Sequence, residues 1–218
     1  MFLKEACKPR KSVFNKERRD VVLDLSDLLE HKIDPQRFFD ENFVTSGMKT
    51  LLEKTFSRLE GASDQASAFL LTQAMGGGKT HIMIALGLLA ADAALRKNIL
   101  GVAGPGSKLG AVRVVGFTGR QSDAPLGIWG EIARQLGKKD FFKDYYSPLQ
   151  APGETAWINL LKGEPTIILL DELPPYMEDA KSKAIGNSDL SVVTTTALSN
   201  LLVAVNKEEL TNVCVVRT

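Results

Sequence analysis

Several classes of protein are excluded by what this sequence lacks. Its only two cysteines, Cys7 and Cys214, stand far apart without C-x-x-C spacing. That argues against a disulfide scaffold and a zinc site and fits a reduced compartment. The start, MFLKEACKPRK, has no apolar core of the kind a secretory signal carries. The most apolar stretch, residues 82–95, is interrupted by Asp92 and falls short of the ~18 residues a membrane span needs. A cytoplasmic protein without membrane contact is the expectation. Charge of one sign is also missing: Lys+Arg 27 against Asp+Glu 26 gives a net charge of +1. Bulk charge therefore argues neither for nor against nucleic acid, and any basic site must be local. No internal repeat is present, and 218 residues suffice for one sizeable core with a small appendage.

The chain divides by pattern into a segment over residues 1–65 and a core over residues 66–218. Lys4, Lys8, Arg10, Lys11, Lys16, Arg18 and Arg19 make the beginning basic. With almost no aromatic interleaving, a solvated arm is favoured over a nucleic-acid contact. DPQRFFDEN predicts a short helix capped by Asp34 with Pro35 at its first position. Met48, Leu51, Leu52, Phe56 and Leu59 then recur at helical spacing behind the cap candidates Thr45 and Ser46, as core residues. From residue 66 strands alternate with helices, the signature of a parallel sheet covered on both faces. Strands are expected over 68–72, 112–117, 166–170 and 212–216. Helices are expected over 80–95, 126–136, 154–161 and 190–205. GVAGPGSKLG and EDAKSKAIGNSD read as exposed loops, and Trp129 and Trp157 as packing residues.

Two motifs carry chemistry. In AFLLTQAMGGGKTHIMIALGLLA an apolar strand runs into Gln73, Ala74 and Met75, then Gly76, Gly77, Gly78, Lys79 and Thr80. Glycines without Cβ can turn backbone N–H groups toward a polyphosphate, and the next helix adds its positive end. Lys79 supplies a mobile charge for the β- and γ-phosphates, and the Thr80 hydroxyl a ligand for Mg²⁺. Gln73 stands where the phosphate-loop pattern G-x-x-x-x-G-K-[ST] has its first glycine. His81, in the first turn, either touches phosphate or packs, and packing is favoured. The second motif is TIILLDELPPY, a continuously apolar buried strand ending in Asp171 and Glu172, where an acid can reach that magnesium. LLVAVNKEEL is similar to the guanine reader N-K-x-D, but Glu209 occupies its aspartate position and the residues before it have a helical stripe, which disfavours GTP. Arg120, after the second strand, reads as a loop arginine, with a role facing a neighbouring subunit as the alternative.

With MGGGKT and ILLDE in this order, the chain resembles the P-loop ATPases that carry an additional strand and a catalytic glutamate, the AAA-type ATPases. More narrowly, LLTQAMGGGKTH, WGEIARQLG, APGETAW and LLDELPPYM resemble a group of large prokaryotic ATPases encoded in phage-defence neighbourhoods, in which glutamine at the Gln73 position is usual. The resemblance implies a three-layer P-loop fold with a mainly parallel sheet, preceded by a mostly helical segment. By the same resemblance Glu172 polarises the attacking water, Asp171 and Thr80 hold Mg²⁺, Lys79 assists, and Thr218 or Arg217 stands as the polar sensor ending the fourth strand. With no fifth strand or lid after NVCVVRT, the expectation is the N-terminal part of a longer protein, its sheet incomplete at the C-terminus and its first strand at an open edge.

The expected function is ATP binding and Mg²⁺-dependent hydrolysis that drives or resets a conformational change, in phage defence by resemblance. A nucleotide-gated interaction module with negligible turnover is the rival, and a nucleic-acid motor the third reading. The implied partners are ATP, further copies of the chain and proteins of a defence system, with nucleic acid left open.

Overall fold

Runs of apolar and β-branched residues form the central sheet of the computed structural model, which describes Phe14 and residues 23–72, 76–120 and 124–218. The basic arm, Cys7, Gln73, Ala74 and Met75 lie outside the described residues. The strands in chain order are β1 (Ala68–Leu70), β2 (Arg113–Thr118), β3 (Thr166–Asp171), the short β4 (Ala184–Ile185) and β5 (Ser188–Asp189), and β6 (Val213–Arg217). The helices are α1 (Leu25–Leu29), α2 (Pro35–Glu41), α3 (Ser46–Leu59), α4 (Lys79–Ala91), α5 (Ala93–Leu100), α6 (Gly127–Gln135), α7 (Glu154–Leu161), α8 (Leu173–Lys181) and α9 (Leu190–Ala204). Four strands pair in the order β1-β6-β3-β2, all parallel. The fold is α/β. Among the described residues no helix is long and apolar enough to cross a membrane.

Period-two alternation on the two central strands explains why both faces are covered. Ile167, Leu169, Cys214 and Val216 point into one core, shared with α1 to α5. Ile168, Leu170, Val213 and Val215 point into the other, shared with α6 to α9. Trp129 and Trp157 are fully buried in the second core, where the Trp157 indole N–H donates to the Ala197 carbonyl at 3.0 Å. The early helices start where their caps stand: Asp34 accepts from the Arg37 N–H at 3.2 Å, and Thr45 from that of Met48 at 3.3 Å. Met48, Leu51, Leu52, Phe56 and Leu59 are buried against the sheet.

Two buried arginines hold the amino-terminal end of the sheet. Arg58 of α3 donates to the carbonyls of Val205 (2.7 Å), Leu210 (3.1 Å), Val213 (3.4 Å) and Gln65 (3.5 Å). It thus fastens the early helices to the start of β6. Arg96 of α5 donates to the carbonyls of Leu89, Ala90, Gly106, Leu109 and Gly110, at 2.6–3.2 Å, and its guanidinium lies 5.2 Å from the Phe56 ring centre. Burial lowers the pKa of both arginines.

Three expectations are corrected. The helix expected over 80–95 is two helices, because the Asp92 carboxylate takes the N–H groups of Ala94 (2.8 Å) and Leu95 (3.0 Å) and starts a new one. GVAGPGSKLG is no plain loop but the shell that wraps Arg96. The exposed EDAKSKAIGNSD contains the end of α8 and the β4–β5 hairpin, turned at Gly186 (φ 58°). Strand limits also shift: β1 ends at Leu70, and β3 includes Asp171.

The two outer strands end the sheet differently. Beyond β2, the Gln135 side-chain amide accepts from the Gly116 N–H and donates to the Gly116 carbonyl, both at 2.8 Å. On either side of β1, the Ser67 carbonyl accepts from the Val215 N–H and the Leu71 N–H donates to the Arg217 carbonyl of β6. The alternation of a parallel ladder therefore turns the backbone groups of Ala68 and Leu70 outward. Leu70 is 52% exposed.

Candidate functional site

The parallel strands β3 and β6 end side by side, and α4 begins against them. Asp171, the last residue of β3, is 3% exposed, and its carboxylate is held from two sides. The Thr80 hydroxyl, in the first turn of α4, donates to Oδ2 at 2.7 Å. The Thr218 hydroxyl donates to Oδ1 at 2.7 Å, and the Glu172 N–H approaches both Asp171 Oδ1 and Thr218 Oγ1 at 3.0 Å. Thr218 is brought there by the ladder itself, since its N–H bonds the Leu170 carbonyl at 3.0 Å. One carboxylate thus gathers Thr80 and Thr218, which stand 91 and 47 positions from it in the chain.

Glu172 leaves the strand with φ 48° and ψ 43°, a left-handed backbone that a glutamate rarely adopts. The bend points its side chain away from Asp171 and toward the end of β2, where Arg120 engages both carboxylate oxygens. Nη2 donates to Oε1 at 3.1 Å, and Nε donates to Oε2 in a short contact. The hydrogen bond from this carboxylate and its charge raise the Arg120 pKa. The close approach depends on Gly119: a Cβ there would lie 1.7 Å from the Glu172 carbonyl oxygen, while the Gly119 N–H continues the ladder to the Asp171 carbonyl at 2.8 Å.

The loop before α4 has the features of an anion cradle. Gly76 and Gly78 have φ of 77° and 78°, and the space a Cβ would fill at each is open. Gly78 is the N-cap of α4 and no side chain caps that helix. An uncapped helix start of this kind presents backbone N–H groups to an anion. A hydroxyl and a carboxylate at Thr80 and Asp171 form a hard-oxygen donor pair of the kind Mg²⁺ takes. Among the described residues no group of three or more His, Cys, Asp or Glu side chains forms a metal cluster. The residues present therefore fit a magnesium-bound polyphosphate.

Thr80, Asp171, Glu172 and Thr218 come together, with Gly76, Gly77, Gly78 and Lys79 on the adjoining loop and helix start. Gln73, Ala74 and Met75 lie outside the described residues. His81 turns to the early helices, its ring 6.1 Å from that of Phe38 at 29°. Arg217 belongs to β6 and does not take the Asp171 contact that Thr218 makes. The residue that sequence reasoning missed is Arg120, read as a loop arginine or one facing a neighbouring subunit. A signal existed: β2 and β3 run in parallel with Thr118 opposite Asp171, so the residues after Thr118 lie beside those after Asp171.

No curated protein and no solved structure matches the chain. The model of the DUF499 N-terminal domain matches residues 7–104 and 117–218. With nearly the whole sequence covered, the chain belongs to the DUF499 family and carries its N-terminal domain.

Proposed function

We propose that this chain is a P-loop ATPase module of the additional-strand, catalytic-glutamate class, which binds ATP with Mg²⁺ and hydrolyses it to drive or reset a conformational change. The observation that carries the reading is the convergence of Thr80, Asp171 and Thr218 at the carboxyl ends of β3 and β6, against the uncapped start of α4. The DUF499 family is found in large ATPase-like proteins, which agrees with it. Service in phage defence, and partners from such a system, rest on resemblance alone.

In this reading the N–H groups of Gly76 to Gly78 and the Lys79 ammonium bind the phosphates. Thr80 and Asp171 would hold Mg²⁺, which neutralises charge on the β- and γ-phosphates. Thr218 fixes Asp171 and the Glu172 backbone, so the two acids keep separate tasks. Glu172 takes a proton from water as its oxygen bonds to the terminal phosphorus. The phosphoanhydride bond breaks, and the electron pair leaves on the oxygen of ADP. A second reading, a nucleotide-gated interaction module with negligible turnover, is favoured by one observation: both Glu172 oxygens are occupied by Arg120.

Calorimetry with ATP and Mg²⁺ tests the cradle. Lys79→Ala should weaken binding by about tenfold or more, the scale of one charge-assisted contact; unchanged affinity in a folded variant would remove it. Phosphate release separates the two readings. Glu172→Gln should retain ATP and lose about 10²–10⁴ in rate, whereas equal turnover of parent and variant would deny Glu172 its role as base.

A further inference from the structure

We infer that the outer side of α9 is a docking face for a second copy of this chain, on which two α9 helices pack antiparallel about a twofold axis. Nothing in it rests on the ATPase reading.

Composition sets α9 apart. Its 15 residues, LSVVTTTALSNLLVA, include no Asp, Glu, Lys, Arg or His, whereas every other α-helix among the described residues carries at least one of them. A helix without a charged face is one that a fold covers on all sides. α4 obeys this: Ile82 to Ala90 are all buried, in the core shared by the sheet and the early helices. α9 does not. It buries Leu190, Thr194, Ala197, Leu201 and Ala204, while Val192 is 52% and Val203 47% exposed. Val192, Thr196, Ser199 and Val203 follow at helical spacing and form one exposed stripe, with Thr195 beside it.

The polar atoms of this stripe are prepared for covering. The Thr195 hydroxyl donates to the Ser191 carbonyl at 2.8 Å, and the Thr196 hydroxyl to the Val192 carbonyl at 3.0 Å. Both donors are satisfied within the helix, so loss of water from these side chains leaves neither unpaired.

Two properties select the same chain as the occupant. About a twofold axis a face meets its own copy, so any charge on it can be brought against a like charge. This stripe has none. It is also a palindrome: valine, a hydroxyl residue, a second hydroxyl residue and valine, at intervals that read the same from either end. Two antiparallel helices therefore set Val192 against the partner's Val203, and Thr196 against the partner's Ser199. The small residues fall at the middle, where the axes cross most closely, and the valines close both ends. A helix of 15 residues is about 22 Å long, and what it covers is well below the roughly 1,600 Å² of a standard interface. The dimer is accordingly weak, with dissociation at about 10–100 μM.

The test is sedimentation velocity of the whole chain across concentrations on both sides of that range, on the parent, Val192→Lys, Val203→Glu and the double variant. Each single change buries a charge against a valine and should raise the dissociation constant by about tenfold or more. The double variant sets lysine against glutamate at both ends and should recover most of the association. Circular dichroism checks each fold, and Thr196→Glu is a further disrupting variant should a valine change fold poorly. A parent that stays monomeric throughout overturns the inference. So does a dimer that the single variants leave intact, including one formed through the β1 edge, or a double variant no better than the singles.

Discussion

The two ends of one sheet are built on opposite terms. At the amino-terminal end, Arg58 and Arg96 are buried and give their N–H groups to main-chain carbonyls, with no carboxylate among their hydrogen-bonded partners within the described residues. At the carboxyl end, Arg120 is exposed and paired with an acid, and the acids themselves are shared among short polar side chains. A buried guanidinium surrounded by carbonyls is costly to disturb and has one arrangement. An exposed pair at a bend is cheap to disturb. Buried, carbonyl-bound charges and exposed, paired ones are thus divided between the ends of the same strands.

The largest effect should come from Arg96→Ala, which takes the guanidinium from five carbonyls, of which Ala90 and Gly106 keep a backbone N–H. A loss of about 3–4 kcal/mol is expected, read as a fall of about 6–16 °C in the melting midpoint, with nucleotide affinity of the folded fraction unchanged. Arg96→Lys should recover less than half, since one ammonium cannot fork to carbonyls on several sides. Arg58→Ala should come next at about 2–3 kcal/mol, measured by urea unfolding. Either variant keeping parental stability would break the contrast between the ends.

Beside Arg58, burial pushes the Cys214 thiol up to about 12 from its ordinary 9.0. The folded state keeps that proton where the unfolded chain has lost it. The contribution to stability is therefore complete below about pH 9 and declines toward pH 12, by about 1.4 kcal/mol per unit. Denaturation curves across this range should fall less steeply for Cys214→Ala than for the parent; parallel curves would show that the thiol does not titrate as its burial requires. The smallest stability change belongs to the carboxyl end. Thr218→Val removes one hydroxyl and should cost about 1 kcal/mol, yet it should alter the magnesium dependence of ATP binding, which no amino-end variant should touch. Titrations at graded Mg²⁺ sharpen the comparison, and an unaltered dependence would make Thr218 a structural residue only.

The parts of this arrangement legible in the sequence are those fixed by local pattern. Ile167 to Leu170 announce a buried strand, Asp34 and Thr45 mark helix starts, and Gly76 to Thr80 mark a loop with φ > 0. Asp92 carried a readable capping signal but stood inside an apolar stretch whose periodicity overrode it. What could not be read depends on distant chain meeting: the shell that GVAGPGSKLG forms around Arg96, and the pairing of Arg120 with Glu172 across 52 positions. That pairing required the register of β2 on β3, and nothing in either strand alone specifies it.

The Gln135 amide has a consequence for association. By occupying both backbone groups of Gly116 it acts as a one-residue strand, so no other strand can add beside β2 without displacing it. Among the described residues, Ala68 and Leu70 of β1 keep their backbone groups turned outward with no side chain capping them in this way. A sheet with one closed border and one open border cannot pass pairing along from chain to chain. Within the described sheet, a pairing of β1 with β1 of a second copy would run antiparallel about a twofold axis and use the outward groups of both.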